Sequence, residues 1–214
     1  MMISQTGISI PTVDMLNCWK HGQPGDINGS IQVIDLFSGC GGMSLGFAAV
    51  GQEKGDFRII GAGDINKRSL ETFSANFGVP GINIDIRELA ESDDALQVFL
   101  AQIGYDRSLP VVLIGCAPCQ GFTAHRKRNW NVLDDRNDLI GAFAKVVSKI
   151  QPDFIVMENV PELLAHKYWS YFDSFRNHIA ESGYTVKQGI HNAASFGTPQ
   201  DRFRALIFAS RLEF

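Results

Sequence analysis

Residues 33–47 read VIDLFSGCGGMSLGF, and the fold class is decided here. VIDLF is an apolar run without alternation, as suits a strand buried on both faces. MSLGFAAVG (43–51) has helical spacing. Gly39, Gly41 and Gly42 fill the turn between them. Glycines at a strand-to-helix turn permit tight chain reversal and close approach to a ligand, and the following helix presents free N–H groups to a carboxylate or phosphate.

The same alternation runs outward from this turn. Strand-like runs recur at 31–37, 58–64, 81–84, 111–115, 154–158, 184–190 and 204–210. Helical spacing marks 43–51, 67–77, 94–104, 138–150 and 168–183. Alternating strands and helices imply an α/β fold with a mostly parallel seven-stranded sheet, ligands binding outside the carboxyl ends of its strands. Only the loop 190–203 separates the last two runs, so the last strand is expected to be antiparallel. Residues 1–30 read as an irregular lead-in, containing the turn-rich HGQPGDINGS, and 31–214 as one domain.

Composition sets bounds around this reading. With 214 residues, 45% hydrophobic and 20% charged, the chain can bury one good core. No apolar run is long enough to span a bilayer, and the polar N-terminus lacks a basic stretch followed by an apolar core, so no membrane association is expected. Four cysteines, at 18, 40, 116 and 119, are too few and too scattered for a disulfide scaffold, which implies a reducing, cytoplasmic setting. A net charge of −4 excludes coating nucleic acid through bulk positive charge and leaves room for a local basic patch.

Asp64 ends the second strand-like run, 22 positions after Gly42. A carboxylate there suits ribose hydroxyls. Glycine turn and acid together indicate an adenosine-type ligand, and the spacing alone leaves NAD and S-adenosylmethionine both open.

Three further strings follow at strand ends: GCAPCQGFT (115–123), MENVPEL (157–163) and GTPQDRFRALIF (197–208). Read with DLFSGCGG, they closely resemble the signature blocks of the cytosine-5 DNA methyltransferases, in that family's order, over Ile31 to Ser210. The resemblance implies a Rossmann-like S-adenosylmethionine-dependent methyltransferase fold acting on double-stranded DNA, as in restriction-modification, near the bacterial nucleoid. It implies Cys119 as nucleophile, flanked by Pro118 and Gln120, and Glu158 with Asn159 as the block that holds the base. It implies further base contacts from Arg202 and Arg204. For the cofactor it implies Phe37 and Pro118 alongside the ligand, Ile65 against the adenine, Asp85 and Ile86 at the adenine edge, and Leu139 closing the pocket.

The chemistry explains this residue set. Carbon 5 of cytosine is a poor nucleophile, and a thiolate bonded to carbon 6 supplies the electron density that methyl transfer needs. Negative charge then develops on the ring. A protonated carboxyl at ring nitrogen 3, favoured by burial at a strand end, and an arginine at the carbonyl oxygen would offset it. The base must first be flipped out of the duplex. Arg126, Lys127 and Arg128, beside Trp130, suit contact with DNA phosphates.

Cys116 and Cys119 form a CxxC pair that could also be redox-active or bind zinc. With no second pair, no metal site is expected. Family members usually continue into a target-recognition domain and a Gly-Asn-x-Val block, and neither is found here. The chain is therefore expected to be a fragment, one subunit of an enzyme split over two polypeptides, or a non-catalytic relic. The competing functional readings are cytosine-5 methylation of transfer RNA, a catalytically inactive binding protein of the same fold, and an NAD-linked oxidoreductase.

Overall fold

The computed structural model describes residues 22, 24–26, 28–118, 138–165 and 169–212. Seven strands form one sheet: β1 (Ile31–Leu36), β2 (Phe57–Asp64), β3 (Gly81–Asn83), β4 (Val111–Gly115), β5 (Phe154–Asn159), β6 (Thr185–Asn192) and β7 (Phe203–Ser210). Their order across the sheet is β3-β2-β1-β4-β5-β7-β6. The pairs among β1 to β5 are parallel, and β7 runs antiparallel between β5 and β6. The expected antiparallel last strand is thus found, although it inserts between two earlier strands.

Helices α1 (Gly42–Lys54), α2 (Lys67–Phe77), α3 (Ile86–Glu91), α4 (Asp93–Gln102), α5 (Asp138–Ile150) and α6 (Trp169–Glu181) connect or flank the strands. Local chemistry sets their ends. Asn66 caps α2 by accepting from Ser69 N–H, and Ser92 caps α4 by accepting from Ala95 N–H. Gly55 and Gly78, both left-handed, terminate α1 and α2. The short helix α3, which the periodicity did not single out, starts where Asp85 accepts from Arg87 N–H.

Side chains alternate across the strands, so each strand feeds two apolar layers. Val33, Ile59, Ile114 and Val156 pack with Ala48 of α1 and with Leu70, Phe73 and Phe77 of α2. Ile34, Leu36, Leu113, Ile155, Met157 and Ile207 pack against α3 to α6. The end of the lead-in is tied down as well, since Ile59 N–H donates to Pro24 O and Asp26 N–H to Phe57 O. Two covered faces leave one edge for chemistry, where β1, β2, β4 and β5 end and β7 begins.

Candidate active site

At one end of this edge the chain turns from β1 into α1. Phe37 holds φ at 59°, a left-handed conformation costly for a residue with a side chain, and its N–H donates to Gly63 O at 2.9 Å. Its ring packs toward Phe143, with centroids 6.3 Å apart. Gly41 (φ 92°) has to be glycine, because a Cβ there would lie 2.2 Å from the Phe77 ring. At Gly39 and Gly42 the opposite holds: a Cβ would meet no atom within 4 Å, so both border open space at the start of a 13-residue helix. This cradle, with helix amides at its end, has the shape and polarity for the carboxylate of a nucleoside-type ligand.

Asp64 at the tip of β2 closes the next side. One carboxylate oxygen accepts from Gly39 N–H at 2.8 Å and the other from Asn66 N–H at 2.7 Å. Each oxygen keeps a lone pair, so ribose hydroxyls can still donate to it. Ile65 is 70% exposed, an apolar surface beside that carboxylate on which a base can lie. Asp85 is engaged by Arg87 through backbone and guanidinium, and this partner holds its carboxyl below the usual range. The Ile86 side chain is buried in the core. Leu139 is half-buried in the first turn of α5, and Pro118 is half-buried beyond β4. S-adenosylmethionine fits this donor set.

The other half of the edge is charged. Glu158 near the tip of β5 lies opposite Leu206, and Asn159 opposite Ala205. That register brings Arg204 Nε to 2.8 Å from Glu158 Oε1, with Arg202 at 3.9 Å from the same oxygen. The Glu158 side chain keeps 24% exposure, so the burial expected at this strand end is only partial. Asn159 is buried. Its amide donates to Ala117 O at 3.2 Å, and its carbonyl oxygen accepts from Val160 N–H at 2.9 Å. It thereby ties the end of β5 to the segment that leads into Cys119. The Cys116 thiol is pushed well above its usual range by burial and by the negative charge of Glu158. A thiol so held is a weak nucleophile. Among the described residues, no cluster of three His, Cys, Asp or Glu side chains could hold a metal, and no helix is long and apolar enough to cross a membrane.

Cys119, Gln120, Arg126, Lys127 and Arg128 lie outside the described residues. Sequence reading passed over Asp35 and Ser44, both buried beneath the glycine turn and hydrogen-bonded to each other. The available signal was an acid inside an apolar run.

Comparison with known proteins gives a consistent result. Residues 31–214 match the family described as C-5 cytosine-specific DNA methylase. Type II methyltransferase M1.HphI of Haemophilus parahaemolyticus is 39% identical over 85% of this chain and 46% of its own length. Type II methyltransferase M.HindV of Haemophilus influenzae is 33% identical over 81% and 51%. A solved E. coli structure described as a prophage-encoded DNA modification methyltransferase superposes with a TM-score of 0.67 at 29% identity, covering 84% of this chain and 46% of that one. The chain spans about half the length of the curated relatives it matches.

Proposed function

Because the chain belongs to the C-5 cytosine-specific DNA methylase family, we propose that it carries the catalytic sheet of an enzyme that transfers a methyl group from S-adenosylmethionine to carbon 5 of cytosine in DNA. The observation that carries this reading is the meeting of Glu158, Arg202 and Arg204 at the same sheet edge as the glycine turn. An adenosine-type cofactor and a planar, polar base could be held there side by side.

The bound cofactor supplies an electrophilic methyl group. It would be held by the turn from Phe37 to Gly42, by Asp64 and Ile65, by Asp85 with the Ile86 backbone, and by Pro118 and Leu139. The protein's own residues prepare the base. Cys119, as thiolate, adds to carbon 6 and pushes electron density to carbon 5. Glu158 holds the ring at nitrogen 3, donating a proton there when it carries one, and Arg204 faces the carbonyl oxygen. Asn159 positions the cysteine segment through Ala117 O. Once carbon 5 has taken the methyl group, its proton leaves to water, the bond from Cys119 to carbon 6 breaks, and the free thiolate and the 5-methylated base result.

The DNA is double-stranded, so the base is flipped before Cys119 reaches it, and Arg126, Lys127 and Arg128 contact the flanking phosphates. Choice of target sequence belongs to the portion of the relatives that this chain does not match, either as continuing polypeptide or as a second chain. The setting is the cytoplasm, at the nucleoid, within a restriction-modification system.

Trapping tests the proposal. Incubation with S-adenosylmethionine and DNA containing 5-fluorocytosine, with the unmatched half of a relative supplied in trans, should leave a covalent adduct at Cys119, since fluorine cannot depart as a proton does. The Cys119→Ala protein should form none. Absence of adduct with the unaltered chain would overturn the reading.

A further inference from the structure

The catalytic scheme leaves one buried acid without a task. Asp35 sits in β1 opposite Ala62 of β2 and Ile114 of β4, 1% exposed in the apolar layer that also holds Val33 and Ile59. Its Oδ2 accepts from Ser44 Oγ at 2.6 Å. Ser44 is the third residue of α1 and is fully buried. First-turn amides of a helix need acceptors, which the side chain of the N-cap residue commonly provides. Here the N-cap is Gly41, which has no side chain to offer. Asp35 instead anchors that first turn from a strand, seven residues before α1 begins, through the Ser44 hydroxyl.

We infer that Asp35 is a positioning residue for the cofactor: by holding the first turn of α1 through the Ser44 hydroxyl, it sets the distance between the end of β1 and the start of α1, and with it the course of the ligand-facing glycine turn. The inference rests on the S-adenosylmethionine reading above. Asp64 grips the same turn from the other side through Gly39 N–H, so two carboxylates hold it, one beneath and one beside the ligand. A buried acid is poor material for stability, since apolar residues of similar size often stabilise a fold in its place. Its use lies in what it orients.

The test separates orientation from folding. S-adenosylhomocysteine binding and thermal unfolding are measured on the full chain and on Asp35→Val, Asp35→Asn and Ser44→Ala, together with amide hydrogen exchange of the segment 37–45. In Asp35→Val the dissociation constant should rise about tenfold or more, the scale of a lost charge-assisted hydrogen bond, while the melting temperature holds or rises. Asp35→Asn, which keeps an acceptor oxygen, should recover binding to within about threefold. Ser44→Ala, a mild change in a helix, should speed exchange of the turn and weaken binding by an intermediate factor. Equal affinity and equal exchange in all four proteins would overturn the inference, as would losses of affinity that only track losses of melting temperature. If the unaltered chain binds no S-adenosylhomocysteine while Ser44→Ala still loosens the turn, the cofactor reading fails and Asp35 is reduced to a structural anchor.

Discussion

The two halves of the site are built in opposite ways. The cofactor half is made largely of backbone: a left-handed Phe37, three glycines and the N-terminus of α1, all within one short stretch and backed by buried packing. The base half is made of charged side chains from β5 and β7, more than 40 residues apart in sequence and still partly exposed. Main-chain donors hold a cofactor well because their geometry is set by the fold. Protonation and charge compensation at a reacting ring require side chains that can ionise and donate. Damage to one half should therefore appear as lost binding or lost fold, and damage to the other as lost turnover.

The sharpest way to break this contrast is at the charged half. Arg204→Ala and Glu158→Gln should each lower the rate of methyl transfer by about 10²- to 10³-fold, the usual cost of removing a donor that faces developing charge. S-adenosylhomocysteine affinity should stay within about twofold of the unaltered protein. If cofactor affinity falls as far as turnover does, the two halves are not separable.

At the glycine turn the expected loss is in stability. Gly41→Val places a Cβ within 2.2 Å of the Phe77 ring and 2.9 Å of Phe73, at a φ of 92° that valine resists. Overpacking with backbone strain should cost about 2–4 kcal/mol in a denaturation titration. Gly42→Ala, whose Cβ meets nothing within 4 Å, should melt near the unaltered protein and show its effect only in cofactor binding.

A third effect concerns pH. Burial, opposed by the Ser44 hydrogen bonds and reinforced by the nearby charge of Asp64, raises the Asp35 carboxyl from 3.8 to about 7. The folded protein therefore holds this proton more tightly than the unfolded chain. Asp35 accordingly contributes a fall in stability as pH rises from about 4 to about 7, with no further change above that. Stability curves of Asp35→Asn should lack that component. A difference curve flat across the window would mean that the carboxyl titrates normally.

Much of this molecule was legible without coordinates. The helices Lys67–Phe77 and Asp138–Ile150 match the stretches with helical spacing residue for residue, and every expected strand is present. Apolar periodicity is a local property, and so are the cues for glycine turns. Helix α3 escaped because six residues are too few to show a period, and its start depends on the cap at Asp85. Asp35 was passed over because an acid in an apolar run does not name its partner, which becomes visible only when α1 folds back over β1. The partial exposure of Glu158 was misjudged for a related reason: apolar neighbours in sequence do not reveal how much cover a strand tip receives.

By itself, then, the order of residues determined the strand and helix alternation, the glycine turn, and the family to which the signature blocks belong, because each depends on contacts between near neighbours in the chain. Only the tertiary structure decided that β7 inserts beside β5, that this register brings Arg204 against Glu158, and that Asp35 bonds the Ser44 hydroxyl in the first turn of α1. Pairings between distant segments are set by the burial of whole faces and the satisfaction of buried polar groups, and no single stretch of sequence encodes either one.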